Sequence, residues 1–539
     1  MVIVGLDGAT FDIIKPLIAA DKMPVLAGLM NSGCHGTLRS IRPPYTPPAW
    51  STIMTGCNPG KHGIYYFSEL TPGTYDARIL NGADIRAKTV WEALSEHGAR
   101  LGLLNIPWTY PPLSVNGFCV SGLDAPRFDR TMAHPPEVFQ EVRDAAQVGG
   151  LSFNRAGLNN REAVWEVASR HLEVTGRIVR DIGSSHELDV FMPVFMQADH
   201  VGHAFWDYEP GMDAEQLSET LIGKTYRKLD EEVGKLLDAV AGPDTTVLVV
   251  SDHGFCRVRG TLNVNRWLES LGMLRFARRQ DEGALLKAGQ AVFRHLPLGW
   301  RNAFRLRFWS LSSRRRKLAQ RSSTYLDWSR TRAFCTAEYG GVTLNIQGRR
   351  PQGTLAADGA ADRVRGELET AAEKLLDPAN GERIIGGVNT REELYHGPHV
   401  GRAPEIWLEP GDDAYYFALN WLGSFTADAN RIYAPADKPM GGHHPDGVFI
   451  AAGAGIRHIG RPLDGLDLTQ VAPTIAHRFG LHLSEADGRA LSEVFEPGFV
   501  SADAPAVVEQ ETDFARTHGD YTPEEAAAVE KRLRDLGYL

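Results

Sequence analysis

The sequence predicts an α/β protein with a mainly parallel central sheet, flanked by helices and interrupted by an inserted region. Three observations support this prediction. Short apolar, β-branched runs alternate with longer amphipathic stretches along the 539 residues, as in repeated strand–helix–strand units. These runs are continuously apolar, which is typical of strands buried on both faces. Acidic residues follow several of them, at the edge where parallel sheets collect functional side chains.

Six apolar runs are predicted to be strands, at residues 2–6, 100–105, 189–196, 246–251, 405–408 and 447–452. The first run lacks the basic start and the longer apolar stretch of a signal peptide. We find no stretch of about 20 apolar residues, so no membrane span is expected. Residues 521–539 predict a capped amphipathic helix.

The composition is that of an ordinary globular protein, with 43% hydrophobic and 23% charged residues. A formal net charge of −10 is mild for this length and argues against general nucleic-acid binding. The five cysteines are far apart and form no CxxC pair. A reduced, cytoplasmic protein is therefore the simplest expectation.

The segment 275–332 differs from the rest because it carries fifteen Lys and Arg residues against three acidic ones, interleaved with aromatic residues. We interpret it as part of an inserted cap that spans about 260–440. The simplest interpretation is a solvated amphipathic helical face. The functional interpretations are a lid over an anionic substrate and a peripheral contact with an acidic membrane.

Seven potential metal ligands stand in short motifs along the chain. They are Asp7 in VIVGLDG, Thr46 in PPYTPPAWSTIMTG, Asp199 and His203 in QADHVGH, Asp252 and His253 in VVSDHG, and His443 in GGHHPDGVF. The three aspartates lie just beyond predicted strands, so one parallel sheet would bring them to the same edge. Carboxylate and imidazole ligands suit Zn²⁺ or Mn²⁺. Two such ions, about 3.5–4 Å apart, can clamp both oxygens of an in-line displacement.

Two histidine choices accompany this set. Asp199 and His203 are four residues apart, a spacing suited to binding one ion from a single helical turn. His200 competes with them, but its position points away from the Asp199 face. His443 and His444 are adjacent, so we expect only one of them to be a ligand of that ion, and we favour His443.

Thr46 is the predicted nucleophile. A Thr before Pro47 is typical of a helix N-cap, and Gly56 predicts the helix end. The hydroxyl would then face free backbone N–H groups and the positive end of the helix dipole, which favour a phosphate. A purely structural N-cap is the alternative. Neighbouring hydroxyl groups that compete for the role are those of Ser51, Thr52 and Thr55.

The order and spacing of these motifs resemble the alkaline phosphatase superfamily, and within it the type I phosphodiesterase/nucleotide pyrophosphatase branch. The resemblance runs from VIVGLDG to the segment after His443, where DLTQVAPTI is similar to the closing helix of the superfamily. It implies an alkaline-phosphatase-like core of residues 1–259 and 441–539 with the cap between them. One implied metal site comprises Asp7, Thr46, Asp252 and His253, and the other comprises Asp199, His203 and His443. It also implies a phosphothreonine intermediate.

The chain departs from the pattern of this branch at Ala49. Nucleotide pyrophosphatases look to carry a phosphate-binding Asn at this position, three residues after the nucleophile. Another donor must then stabilise the phosphoryl oxygens. Cationic or potentially cationic residues close in sequence are Arg39, Arg42, Lys61 and His62, and the sequence does not choose among them. The C/S-x-P-x-R motif of the sulfatase branch is not found at Thr46 or at any cysteine.

We therefore predict a two-metal phosphohydrolase that cleaves a phosphodiester or phosphomonoester, with Zn²⁺ favoured and Mn²⁺ as the alternative. A nucleotide, a sugar phosphate or a glycerophosphodiester is the expected substrate class. Alternatives are a phosphomutase of the cofactor-independent phosphoglycerate mutase type and a non-catalytic metal- and anion-binding module. Predicted substrate-pocket residues are Trp50, Asn105, Trp108, Thr109, Tyr339, Asn345 and Arg349.

Overall fold

A computed structural model describes residues 1–146, 161–277, 326–418, 431–436, 439–500, 505–510, 519–536 and 538. Most of the basic segment, residues 278–325, lies outside the described residues. Its interpretations as a lid, a membrane contact or a solvated face therefore stay predictions.

The described chain is organised around a nine-stranded sheet. Its strands, in spatial order, are Leu463–Asp467, Cys34–Arg39, Asp446–Gly453, Thr246–Val250, Val2–Leu6, Val190–Phe195, Leu101–Ile106, Gly117–Ser121 and Ala133–His134. At its centre, Val2–Leu6 pairs in parallel with Val190–Phe195 on one side and with Thr246–Val250 on the other. These strands are buried along their whole length. The predicted α/β fold with a mainly parallel sheet is confirmed.

Two of the six predicted strands lie in a different setting from the one expected. The run at 447–452 is the strand Asp446–Gly453, which is antiparallel to both of its neighbours in the central sheet. The run at 405–408 is the strand Ile406–Pro410, which belongs to a separate antiparallel sheet. An apolar run predicts a buried strand but carries no information about its direction or its partner.

Helices cover the central sheet, and two of them, Thr46–Thr55 and Gln197–Ala204, carry predicted site residues. The α-helices of this part are Phe11–Ala19, Pro24–Ser32, Thr46–Thr55, Pro59–His62, Val90–Glu96, Val138–Ala146, Arg161–Ser185, Gln197–Ala204, Ala214–Glu219, Leu221–Val240, Val471–Arg478 and Pro523–Leu536. The last of these confirms the helix predicted for the tail. Among the described residues, no helix combines the length and the apolar character that crossing a bilayer requires.

A second hydrophobic core lies apart from the first and consists almost entirely of residues between 262 and 417. A four-stranded sheet contributes to it, in the order Ala333–Ala337, Gly341–Leu344, Ile406–Pro410 and Ile385–Thr390. The other elements of this region are the helices Val264–Ser270, Ala360–Ala372 and Arg391–Leu394 and the strands Gly260–Asn263, Tyr415–Ala418 and Tyr433–Pro435. The cap limits of 260 and 440 stay a prediction.

The remaining strands form short two-stranded sheets, and one of them bears on the site. The pairs are Ser68–Leu70 with Ala77–Ile79, Leu481–Leu483 with Ala506–Val508, and Gly254–Arg257 with Gly441–His444. In the last pair, Phe255 lies opposite His443, which brings the motif at 441–449 next to the motif at 249–254. The five cysteines are free thiols, and the cytoplasmic location stays a prediction.

Candidate active site

Four predicted ligands form one group at the carboxyl edge of the sheet. Asp7 directly follows Val2–Leu6, and Asp252 and His253 follow the neighbouring parallel strand. The Nε2 atom of His253 lies 3.2 Å from Asp252 Oδ2, 3.4 Å from Thr46 Oγ1 and 3.9 Å from Asp7 Oδ1. All four side chains are buried.

The other three predicted ligands form a second group. Asp199 and His203 lie one turn apart on the helix Gln197–Ala204. The Oδ1 atom of Asp199 lies 3.4 Å from His203 Nε2 and 3.2 Å from His443 Nε2. The two imidazole Nε2 atoms are 2.9 Å apart. The three ligand atoms are thus close enough to share one ion.

The two groups adjoin each other. The rings of His253 and His443 stack with their centroids 3.7 Å apart. Ligand atoms of Asp7, Asp199 and His253 also lie within 4.8 Å of one another. The seven side chains, drawn from widely separated parts of the sequence, therefore converge in one place.

In each of the three aspartates, one carboxylate oxygen accepts a hydrogen bond and the other has no hydrogen-bond partner among the described residues. The partnerless atoms are Asp7 Oδ1, Asp199 Oδ1 and Asp252 Oδ2. Leaving several buried carboxylate oxygens unpaired is costly, unless a cation completes their coordination. Oxygen and imidazole nitrogen donors also match the preferences of zinc and related ions. The residues present thus fit divalent metal ions.

The oxygens that accept hydrogen bonds are held by donors from three different places. The indole Nε1 of Trp50 donates to Asp7 Oδ2 over 2.8 Å. The backbone N–H of Gly8 donates to Asp252 Oδ1 over 3.3 Å. Gly8 has a φ of 69°, and a Cβ atom there would come within 3.0 Å of Asp199 Cβ. The third donor is the hydroxyl of Tyr538, which donates to Asp199 Oδ2.

The electrostatics of this centre favour bound cations. Burial, followed by the charges of the neighbouring carboxylates, raises the pKa of Asp7 and of Asp252 well above the ordinary carboxyl value. Burial also lowers the pKa of His253 and of His443, which keeps these imidazoles neutral and able to bind a metal through nitrogen. Cations in the centre would reverse the penalty on the carboxylates.

The helix that carries Thr46 begins at Thr46 itself and ends at Thr55, with Gly56 in a left-handed conformation at its end. The predicted N-cap is therefore one residue too late, because the cap residue is Tyr45. The expectation that the Thr46 hydroxyl faces several free backbone N–H groups is also wrong. Pro47 and its neighbour Pro48 have no N–H, and the N–H of Ala49 donates to the Tyr45 carbonyl over 2.9 Å.

The hydroxyl groups that competed with Thr46 have partners away from the ligands. Ser51 donates to the Pro47 carbonyl over 2.7 Å, as Thr55 does to the Ser51 carbonyl. Thr52 Oγ1 lies 3.1 Å from His62 Nε2. Among these hydroxyls, Thr46 is the one placed beside His253.

The histidine alternatives are also separated by their positions. His444 faces away from the ligands, and its Nε2 atom lies 3.6 Å from Asp413 Oδ2. Within the described residues, His200 belongs to neither group of clustered ligand atoms. It lines a cavity beside Arg532 and Leu536 instead.

Two predicted pocket residues touch the metal ligands. Trp50 supports Asp7 from behind through its indole, as described above. The hydroxyl of Tyr339 accepts a hydrogen bond from the backbone N–H of His443 over 2.8 Å. Trp108 is buried, and its ring lies edge-on to that of Phe67 with 5.5 Å between ring centroids.

The other predicted pocket residues form hydrogen bonds or ion pairs with other parts of the protein. Asn105 and Thr109 donate to backbone carbonyls over 2.9 and 2.6 Å. Arg349 forms an ion pair with Glu405 at 2.9 Å. Asn345 is buried. Its amide nitrogen lies within hydrogen-bond distance of three carbonyls, and its amide oxygen accepts from the Tyr75 hydroxyl. The role of Asn345 as a pocket residue stays a prediction.

The side chains considered as substitutes for the family Asn at Ala49 also have other partners. Arg39 pairs with Asp446 at 2.6 Å, Arg42 with Asp413 at 3.1 Å, Lys61 with Asp487 at 2.8 Å, and His62 contacts Thr52. Burial lowers the pKa of His62 to about 3. Each of these side chains thus has a partner outside the seven predicted ligands.

Tyr538 is the site residue that sequence reasoning missed. It lies just after the observed helix Pro523–Leu536 and stands in no motif, so no local signal links it to Asp199, which is 339 positions earlier in the sequence. The helix periodicity was readable, but the place where its end docks was not.

The fold, a mainly parallel sheet with Asp and His residues clustered at its carboxyl edge, is similar to that of several solved structures. Phosphonoacetate hydrolase from Sinorhizobium meliloti 1021, with phosphonoformate, is 15% identical with a TM-score of 0.52, covering 87% of this chain and 93% of its own. Human ectonucleotide pyrophosphatase/phosphodiesterase 5 is 13% identical with a TM-score of 0.51, covering 92% and 99%. A variant of the alkaline phosphatase PafA is 14% identical with a TM-score of 0.50, covering 92% and 99%.

The sequence identifies the family within this fold. The model of the family described as type I phosphodiesterase / nucleotide pyrophosphatase matches residues 1–444, and the chain belongs to that family. It is therefore an enzyme of the phosphoric ester hydrolase class. A search of curated proteins finds no match for the sequence.

Proposed function

We propose that this enzyme is a two-metal phosphohydrolase that cleaves a phosphodiester or phosphomonoester through a phosphothreonine intermediate on Thr46. One observation carries the proposal: a buried threonine hydroxyl lies 3.4 Å from His253 Nε2. Beside it, three carboxylates each keep one oxygen without a hydrogen-bond partner among the described residues.

Asp7, Thr46, Asp252 and His253 would hold one divalent ion, and Asp199, His203 and His443 the other. Zn²⁺ is the proposed metal because both groups contain imidazole, with Mn²⁺ as the alternative. Bound ions would lower the pKa of the threonine hydroxyl and neutralise charge on the phosphoryl oxygens.

The role of Thr46 is to attack phosphorus and to be released again. Its Oγ1 atom forms a bond to phosphorus while the bond to the leaving alcohol breaks, and the alcohol leaves with the proton of the hydroxyl. Water then cleaves the bond between Thr46 and the phosphoryl group. The products are the alcohol and a phosphomonoester or inorganic phosphate, and the hydroxyl is regenerated.

A small phosphorylated molecule is the proposed substrate, such as a nucleotide, a sugar phosphate or a glycerophosphodiester. The side chains of Tyr339 and Tyr45 are buried beside the second group. The ring centroid of Tyr339 lies 6.1 Å from that of His443, and Tyr45 packs edge-on to Tyr339 at 4.8 Å.

The proposal is tested by turnover of bis-p-nitrophenyl phosphate and p-nitrophenyl phosphate with added Zn²⁺ or Mn²⁺. We expect Thr46→Ala to lower kcat/KM by at least about 10³-fold, because the attacking group is lost. The matched control is Ser51→Ala, which removes a hydroxyl from the same helix but one that donates to the Pro47 carbonyl.

Full metal-dependent activity in Thr46→Ala would refute the nucleophile assignment. Equal inertness of the wild type and Thr46→Ala, with metal still bound, would favour the non-catalytic module instead. Transfer of the phosphoryl group within a substrate, without release of phosphate or a monoester, would favour the phosphomutase.

A further inference from the structure

Asp199, in the second group of predicted ligands, accepts a hydrogen bond from a residue outside the part of the chain that matches the family. The match ends at residue 444, whereas the hydroxyl that holds Asp199 belongs to Tyr538. The donors to Asp7 and Asp252 come from Trp50 and Gly8, both within the matched part. Asp199 therefore depends on a segment that the family pattern does not include.

The tail helix is anchored to the core in a way that fixes where Tyr538 lies. Helix Pro523–Leu536 begins with reciprocal bonds between Thr522 and Glu525, and its buried face consists of Val529, Leu533 and Leu536. The guanidinium of Arg532 donates to the Leu123 carbonyl over 3.2 Å and also to the Ala125 carbonyl. These contacts lock the helix against the loop that follows the strand Gly117–Ser121.

The ring of Tyr538 lies between the ring of Phe67 and that of the predicted ligand His203. Its side chain is almost completely buried, with centroid distances of 5.3 Å to Phe67 and 5.2 Å to His203. Its backbone N–H donates to the Leu533 carbonyl over 2.9 Å, and its carbonyl accepts from the Tyr66 hydroxyl over 3.4 Å. Both the backbone and the ring are therefore held in place.

The hydrogen bond from Tyr538 divides the two oxygens of Asp199 between two tasks. Oδ2 accepts from the tyrosine hydroxyl, while Oδ1 faces the Nε2 atoms of His203 and His443. With Oδ2 engaged, rotation of the carboxylate away from the imidazoles would break a buried hydrogen bond. Outer partners of this kind orient metal ligands and tune metal affinity.

We propose that Tyr538 is a positioning residue for Asp199, so that the tail helix sets the metal affinity of the second group. This inference rests on the proposed function, because it requires that Asp199, His203 and His443 bind a divalent ion. It adds a residue from beyond the family match to the machinery of the centre.

The test is Zn²⁺ affinity of the full chain, measured by competition with a chromophoric chelator, for wild type and Tyr538→Phe. We expect Tyr538→Phe to weaken one of two Zn²⁺ binding events by about 10- to 100-fold and to leave the other unchanged. The matched control is Tyr521→Phe, which removes a hydroxyl that donates to the Asp124 carbonyl over 2.6 Å. It should bind Zn²⁺ as the wild type does.

A second comparison separates positioning from a general loss of structure. In an Asp199→Ala background the acceptor is missing, so Tyr538→Phe should then have no further effect on Zn²⁺ affinity. The metal-free Tm of Tyr538→Phe should stay close to that of Tyr521→Phe.

Unchanged or tighter Zn²⁺ binding by Tyr538→Phe would overturn the inference while leaving the two-metal proposal intact. An equal effect of Tyr538→Phe in the Asp199→Ala background would overturn it as well. A wild type that binds no Zn²⁺ and no Mn²⁺ would overturn both the inference and the proposed function.

Discussion

The two halves of the candidate centre are supported in different ways. In the first half, Asp7 and Asp252 follow two neighbouring parallel strands, and their outer partners Gly8 and Trp50 belong to the same motifs as the ligands themselves. In the second half, Asp199 lies on a short helix, His443 lies on an antiparallel strand pair, and the outer partner Tyr538 lies just beyond the tail helix.

This difference has a physical consequence for each half. Parallel strands buried on both faces are rigid, so the first half is positioned by the sheet. The second half requires three elements to dock correctly on one another. We infer that the second half responds more strongly to changes far from the centre, and the following experiments test that contrast.

The largest effect is expected for His443→Ala, which removes one of three ligands from the second half. Zn²⁺ affinity of that half should fall by at least about 100-fold, more than for loss of an outer partner, while the first half stays occupied. Competition titration with a chelator measures both. His444→Ala is the control, because that ring faces Asp413. An equal loss in both variants would contradict the choice of His443.

A smaller effect is expected for Trp50→Phe, which removes the indole donor to Asp7 but keeps an aromatic ring. Zn²⁺ affinity of the first half should fall by about 10-fold. Trp91→Phe is the matched control, since the buried Trp91 Nε1 has no hydrogen-bond partner among the described residues.

The comparison of Trp50→Phe with Tyr538→Phe addresses the two halves directly. Each variant removes one outer donor, and each should weaken a different Zn²⁺ binding event. If both variants weakened the same event, the division of the ligands between two ions would be wrong.

A separate effect concerns stability instead of metal affinity and involves Glu338, next to Tyr339, which contacts the second half. Its carboxylate accepts from the Tyr416 hydroxyl over 2.5 Å, and burial raises its pKa to about 8. A carboxyl group with a raised pKa in the folded state makes folding less favourable as the pH rises, because the unfolded chain loses the proton first.

The free energy of unfolding of the wild type should therefore fall relative to Glu338→Gln between about pH 4.5 and 8, and the difference should level off above that range. We expect a total change on the order of 5 kcal/mol, because a shift of one pKa unit corresponds to about 1.4 kcal/mol. Urea denaturation of the metal-free proteins at several pH values measures it. A difference that does not vary with pH would show that Glu338 has an ordinary pKa.

The fold class and the seven predicted ligands that cluster in the structure could be read from the amino-acid sequence alone. Asp7, Asp199 and Asp252 were found because apolar runs reveal buried strands, and the carboxyl ends of parallel strands meet at one edge. Thr46 was found because a Thr-Pro pair predicts a helix start, although the cap lies one residue earlier. These signals are local in the chain or follow from one topological rule, which is why they could be read without coordinates.

Which polar side chains already have partners became visible only in the folded protein. Asn345 and Arg349 have suitable chemistry for a pocket, yet their partners come from distant segments that fold onto them. Tyr538 gave no signal because its role depends on how one face of a helix docks on the core. Docking is determined by many weak contacts summed over distant residues, and no short stretch of sequence encodes that sum.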